Sequence, residues 1–154
     1  MHRLHFTSPI GTLCVEDNDK ALTALYIDNS GDTSGDCESE LLLRTKAEVL
    51  EYFNGKRQEF DIPLDPSGTG FQLKVWNYLR KIPYAQTCSY SDIAKDIGRP
   101  KACRAVGGAN GKNPIMIIIP CHRVIGKSGD IVGFSAGVEI KKYLLALEEK
   151  YKSE

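Results

Sequence analysis

Pro120-Cys121-His122-Arg123 sets a thiol beside an imidazole, directly after the apolar run Ile115-Met116-Ile117-Ile118-Ile119. A cysteine attacks as its thiolate, which is scarce at neutral pH unless a base, a cation or a dipole stabilises the sulfur anion. The run reads as a buried strand, and its end is a place where a reactive side chain can be presented. Neighbouring side chains on an extended chain point to opposite sides, so His122 is expected to reach the sulfur through a bridging water. Such a relay needs a carboxylate to orient the imidazole. A buried structural cysteine beside a surface histidine fits the same tetrapeptide, so the flanking elements must decide.

Those elements begin as strands at Arg3 to Thr7, Gly11 to Val15 and Leu22 to Ile27, separated by turn-rich Ser8-Pro9-Ile10-Gly11 and Asp17-Asn18-Asp19. They predict an antiparallel meander. A helix follows from about Glu38 to Phe53, with Leu42, Val49 and Phe53 on one face and Gly55 as its stop. Phe60 to Leu64 reads as one more strand. Asp65-Pro66-Ser67-Gly68 is the expected joint, giving domains 1–66 and 67–154.

Beyond the joint, Thr69 and Gln72 predict a capping box for a helix with Phe71, Val75, Trp76 and Leu79 on its apolar face, ended by Pro83. Ser91 is expected to cap a short helix through Ile97. Gly98-Arg99-Pro100 then places proline at the first position of a helix running to about Asn110. Two short helices across a tight turn predict helix-turn-helix. The second, Lys101-Ala102-Cys103-Arg104-Ala105-Val106-Gly107-Gly108-Ala109, is small-sided and basic, with Arg104 as its central long cation. A narrow DNA groove accepts such a shape; tight internal packing also produces one. A last helix, about Glu139 to Tyr151, is expected to bury Ile140, Tyr143, Leu144 and Leu147, leaving Glu148 on its flank.

The formal net charge of zero conceals an asymmetry. Residues 1–66 carry six Lys or Arg against thirteen Asp or Glu, and residues 67–154 carry fourteen against seven. A basic half with an acidic companion suits a protein that meets a polyanion on one side, and a merely dipolar soluble protein looks the same. The five cysteines form an odd set with no Cys-x-x-Cys spacing, which argues against a disulfide framework and a zinc knuckle. His2, His5 and Cys14 could meet at a metal or simply alternate along strands. No apolar stretch approaches the roughly 20 residues of a membrane helix, and the opening residues resemble no signal peptide. A cytoplasmic location, nuclear in a eukaryote, is expected.

Taken together, Ser89-Tyr90, Arg104-Ala105-Val106-Gly107-Gly108-Ala109, Asn113-Pro114 and Ile119-Pro120-Cys121-His122-Arg123-Val124 closely resemble the O6-alkylguanine-DNA alkyltransferases. Phe71-Gln72, Val75-Trp76 and Ile82-Pro83-Tyr84 belong to the same likeness, which covers essentially all of 68–150 and reaches loosely back to Tyr52-Phe53-x-Gly55. The resemblance implies an α/β (α+β) chain. A small ribonuclease H-like sheet-and-helix domain would precede a mostly helical, winged-helix-like DNA-binding domain.

It also implies a reaction, the irreversible transfer of an alkyl group from O6 of guanine, or O4 of thymine, to Cys121. By resemblance His122 activates the thiol through water, Glu148 orients the imidazole, Asn113 knits the turn behind the sulfur, Tyr90 donates toward the base and Ser135 hydrogen-bonds the O6 region. Arg104 would enter the duplex where the flipped base has left, with Ala105, Gly107 and Gly108 in the minor groove and Arg123 also on the DNA side. No cofactor is implied, the partner is double-stranded DNA carrying the lesion, and the free protein is expected to be a monomer. The chain departs from the family's usual residues at Ala85, where glycine is common, at Phe134, where tyrosine is common, and at Asn110, where some members carry a larger apolar residue. Two other readings remain: a lesion-binding module like the alkyltransferase-like proteins, which lack the cysteine, and a Cys-His hydrolase acting through an acyl-enzyme.

Overall fold

Leu13 and Val15 stand two residues apart on one strand, and Val15 pairs in register with Leu25 on the next, so the period of two turns all three to one buried face. The computed structural model describes residues 1–129 and 136–152. The chain divides into two compact units, Met1–Ser67 and Gly68–Glu154. In the first, β1 (His2–Ser8), β2 (Gly11–Asp17) and β3 (Leu22–Ile27) form an antiparallel sheet in that order. Helix α1 (Glu40–Phe53) covers it with Leu42, Val49 and Phe53, and Ser39 Oγ caps the helix by accepting from the Leu42 N–H at 3.0 Å.

The expected strand at Phe60 to Leu64 does not form. Leu64 makes a single parallel bridge to Leu22, and Pro63, which has no N–H for a ladder, contributes only its carbonyl to Leu22 at 2.8 Å. Nor do His2, His5 and Cys14 assemble. His5 lies opposite Cys14, but its Nδ1 meets Asp36 at 2.7 Å and its Nε2 meets Asp28 at 2.8 Å. Burial works against charging this ring, yet the hydrogen bonds and charges of Asp28 and Asp36 outweigh it and raise its pKa.

The second unit contains α2 (Gly70–Leu79), β4 (Cys88–Ser89), α3 (Tyr90–Asp96), α4 (Cys103–Gly111), a 3-10 turn (Cys121–Arg123), β5 (Val124–Ile125) and α5 (Val138–Tyr151). The Thr69–Gln72 capping box is present, and α2 buries Val75, Trp76 and Leu79. Trp76 Nε1 donates to the Ala109 carbonyl at 2.8 Å, pinning α2 to the end of α4. Helices α3 and α4 pack on each other across the turn marked by Gly98, whose φ is +80°. This is the expected mixed α/β architecture, a small sheet unit followed by a helical one with helix-turn-helix and a short parallel β4–β5 pair. No described helix is long and apolar enough to cross a membrane.

Several local expectations change. The cap of α3 is Ser89, not Ser91: its Oγ accepts from the Asp92 N–H, and Asp92 returns the bond to the Ser89 N–H, each at 3.1 Å. Tyr90 therefore becomes the first helical residue. Helix α4 starts at Cys103, with Pro100 left in the preceding turn, where the Ala102 N–H bonds the Arg99 carbonyl. Tyr143 is exposed, and Lys141 is buried on α5 instead.

The largest correction concerns the run before Cys121, which is no strand. It folds into tight turns, with Ile118 N–H on the Met116 carbonyl, Ile119 N–H on the Ile115 carbonyl, and Ile117 at φ +72°. Burial of Ile115, Ile117 and Ile119 made it look like a core strand, but Ile118 and Ile119 donate within the turn and Ile115 takes no more than a bridge position.

Candidate active site

Asn113 holds both ends of that turn. Its Oδ1 accepts from the Ile115 N–H at 3.0 Å and its Nδ2 donates to the Ile119 carbonyl at 2.7 Å, two residues before the sulfur. Cys121 then opens a 3-10 turn rather than ending an extended segment, and is 4% exposed. Burial pushes its thiol up to about 11, against the opposing pull of the Asn113 amide, the N–H groups of Cys121 and His122, and the Lys141 ammonium. The resting site therefore holds a protonated sulfur. Forming the thiolate near neutral pH is unfavourable in the resting protein.

Behind the sulfur lies a buried charged cluster. His122 Nε2 meets Glu148 Oε2 at 2.6 Å. Arg123 reaches the same carboxylate twice, Nε to Oε1 at 2.9 Å and Nη2 to Oε2 at 3.0 Å, and Nη1 donates to the Ile82 carbonyl at 2.7 Å. The Ala85 N–H adds a bond to Glu148 Oε1 at 3.0 Å. Burial opposes charge on Glu148, but His122 and Arg123 overcome it and hold the carboxyl well below its ordinary range. Glu149, the neighbour that could have been mistaken for it, instead pairs with Lys152 on the surface.

His122 moves the other way. Burial, with Arg123 and Lys141 nearby, depresses its pKa despite Glu148. With an anionic carboxylate on Nε2, the neutral ring carries its proton there, and Nδ1 is the basic nitrogen. Because the folded pKa lies below the ordinary 6.5, this group's stability contribution is present above that pH and is lost as pH falls. His5, raised, contributes below 6.5 and loses its contribution as pH rises through its folded value. Ring-nitrogen NMR is expected to show His122 titrating below the ordinary 6.5 and His5 above it. A His122 midpoint near 6.5 contradicts this reading of the cluster.

Ala85 holds its N–H toward Glu148 at φ +62°, a left-handed conformation that costs a residue with a Cβ. This explains why glycine suits the position. Ala85→Gly is expected to stabilise the fold by about 0.5–1 kcal/mol, the strain relieved exceeding the added chain entropy. The urea midpoint reads this out, and a lowered midpoint refutes it.

Arg123 is corrected from a DNA-facing residue to an interior one, since its guanidinium is buried and bonded to Glu148 and Ile82. Ser135, and Phe134 beside it, lie outside the described residues. Lys141 was missed because lysine defaults to the surface; its spacing of seven from Glu148 on one helix face was the available signal. Its Nζ lies 5.9 Å from the centre of the Tyr90 ring, and burial lowers its pKa while the nearby Cys121 opposes that shift.

Arg104, Ala105 and Gly108 lie exposed on α4, with Gly107 half-buried. Arg104 has no hydrogen-bond or ion-pair partner among the described residues. A Cβ at Gly108 would meet nothing within 4 Å, and one at Gly107 only the Tyr90 ring at 3.9 Å. Internal packing therefore does not require Gly108, although a helical glycine costs about 1 kcal/mol relative to alanine.

A helix-turn-helix unit with a buried Cys-His-Glu cluster behind an open small-sided helix defines a nucleic-acid-binding protein built around a nucleophile. Residues 70–150 match the family model described as 6-O-methylguanine DNA methyltransferase, DNA binding domain, and residues 1–66 match that of its ribonuclease-like domain. The chain belongs to the 6-O-methylguanine DNA methyltransferase family. It is 47% identical over 150 residues to a methylated-DNA--protein-cysteine methyltransferase of Methanosarcina barkeri, covering 92% of this chain and 93% of that protein. The inducible methylated-DNA--protein-cysteine methyltransferase of Bacillus subtilis is 55% identical over 107 residues, which span 70% of this chain and 60% of that protein. The crystal structure of Mycobacterium tuberculosis OGT in complex with DNA superposes with a TM-score of 0.90 at 42% identity, covering 98% of this chain and 94% of that one.

Proposed function

We propose that this protein repairs alkylated DNA by direct reversal, moving the alkyl group from O6 of guanine, and from O4 of thymine where that lesion occurs, onto its own Cys121. The observation that carries this reading is the buried thiol backed by the neutral His122 and the Glu148 carboxylate, in the same unit as the open face of α4. The relatives' names and the DNA-bound neighbour support it.

The reaction is an in-line displacement. Sulfur forms a bond to the alkyl carbon as the carbon–oxygen bond breaks, and the electron pair of that bond leaves on the purine. The thiol proton passes through water to His122 Nδ1, with Glu148 steadying the imidazolium, and Lys141 lends positive charge to the developing thiolate. Tyr90 donates a proton to a ring nitrogen of the departing base, restoring neutral guanine, and is reprotonated from solvent. Ser135 hydrogen-bonds the O6 region. A thioether is a poor leaving group, so each molecule acts once and no cofactor enters.

The target must leave the duplex stack at a cost of a few kcal/mol. Arg104 fills the gap while Ala105, Gly107 and Gly108 lie against the minor groove, where readout of sequence is degenerate. The free protein acts as a monomer in the compartment that holds the DNA, the cytoplasm of a prokaryote or the nucleus of a eukaryote. Arg104→Ala is the discriminating variant: transfer from O6-methylguanine in duplex DNA is expected to fall by about 10-fold or more, while transfer from free O6-benzylguanine is unchanged. Equal losses on both donors contradict the finger role. Absence of transfer from either donor to the wild-type protein contradicts the whole reading.

A further inference from the structure

A carboxylate set behind a histidine ordinarily draws a proton onto the ring, and a protonated His122 could not take one from Cys121. Glu148 is shared in a way that opposes this. Four N–H donors converge on its two oxygens: Arg123 Nε and the Ala85 N–H on Oε1, at 2.9 and 3.0 Å, and Arg123 Nη2 and His122 Nε2 on Oε2, at 3.0 and 2.6 Å. The guanidinium and the imidazole compete for one oxygen, in a cluster where Arg123 is 6% exposed and His122 and Glu148 are fully buried. Contact with Oε1 alone would pair the charges; the second contact sets the permanent cation on the oxygen that the imidazole uses. Arg123 is also fastened there, since its Nη1 donates to the Ile82 carbonyl at 2.7 Å and its guanidinium carbon lies 5.6 Å from the centre of the Tyr84 ring. Residues 82–85 thus hold the arginine through a carbonyl and a ring, and the glutamate through an N–H.

We infer that Arg123 is a positioning residue for alkyl transfer: by sharing Oε2 of Glu148 with His122 it keeps the imidazole uncharged in the resting site, ready to take the thiol proton, while Glu148 still orients the ring. The inference rests on the reaction proposed above, in which that proton passes through water to His122 as sulfur bonds to the alkyl carbon and the purine keeps the electron pair of the broken bond. The charged groups that act on His122 are Glu148 and Lys141 of α5 and its chain neighbour Arg123. Burial does most to depress this histidine, and Arg123 and Lys141 add to it against Glu148. With Arg123 gone, Glu148 is opposed by burial and Lys141 alone, so His122 charges at a higher pH.

The test compares Arg123→Met with Arg123→Lys by two readouts, the ring-nitrogen NMR titration of His122 in the free protein and the pH–rate profile of transfer from free O6-benzylguanine. In Arg123→Met, which removes the cation at similar length, the His122 midpoint is expected to rise by about one pH unit or more. The acid limb of the profile should rise with it, lowering transfer about 10-fold at pH values below both midpoints. Arg123→Lys keeps the charge without the fork and should return both midpoints most of the way to the wild type. A merely structural arginine would lower the rate at every pH and move neither midpoint. Arg123→Gln, which can still donate to the Ile82 carbonyl, serves if the methionine variant does not fold, and a wild-type His122 that titrates above 6.5 overturns the inference without any variant. An unmoved midpoint in Arg123→Met, or an equal rise in Arg123→Lys, also overturns the role of Arg123 while leaving the transfer reaction standing, because the titration is read without substrate. A wild-type protein that accepts no alkyl group overturns the reaction itself.

Discussion

Cys121→Ser abolishes alkyl transfer to the protein, with an expected loss on the order of 10⁶-fold, as when a sole nucleophile is removed from an otherwise intact site. The serine hydroxyl occupies the same buried seat and meets the same Asn113 amide, but it is a harder and far weaker nucleophile, and burial disfavours its anion still more. The exchange leaves the exposed face of α4 unaltered, so lesion-containing duplex is expected still to bind. Labelled methyl transferred from DNA is the readout. Among the other cysteines, Cys37 and Cys103 are exposed and Cys14 is buried, and none of these has the histidine and glutamate that stand behind Cys121. Labelling retained in the serine variant would reject Cys121 as the acceptor.

Glu148→Gln is expected to carry the largest stability loss of any single exchange in the site, about 3–5 kcal/mol, because it leaves the buried Arg123 guanidinium without its anion. Such a loss is a large share of the roughly 5–15 kcal/mol that holds a typical domain together. The same carboxylate orients His122, so transfer corrected for the folded fraction should also fall by about 100-fold or more. Because its folded pKa lies below the ordinary 4.5, the wild-type stabilisation is present above that pH and is lost as pH falls; the glutamine variant lacks this acid-sensitive component. Urea unfolding at pH 7 and pH 4 measures both parts. A loss below 1 kcal/mol at pH 7 is incompatible with the cluster described.

Much of this architecture was legible in residue patterns. The meander followed from three strand-like segments separated by turn-rich stretches, and the start of α2 from the Thr69–Gln72 pair, since these signals are local and match how the backbone satisfies itself. The signals that misled were of one kind. Ile115 to Ile119 has the composition of a core strand, but composition reports burial and not which backbone groups pair, and Asn113 takes the place of a partner strand. Lys141 and Arg123 were hidden for the converse reason. Charged side chains default to solvent, and only tertiary contacts show that one lies beside the sulfur and the other grips Glu148. The strain at Ala85 likewise becomes visible only once its φ is known.

The same holds for α4. Small residues on α4 fit close internal packing and close external contact equally well, until the empty space around a Cβ at Gly108 separates the two. On the same helix Arg104 has no charged partner among the described residues, and Asn110 points inward to the carbonyl of Cys121.

The most direct measurement is mass analysis of the intact wild-type protein, and then of its peptides, after incubation with excess duplex DNA carrying O6-methylguanine. One added methyl group per molecule, confined to the peptide containing Cys121 and accompanied by one restored guanine, is the predicted result. Protein of unchanged mass, or more guanines restored than protein molecules present, would contradict it.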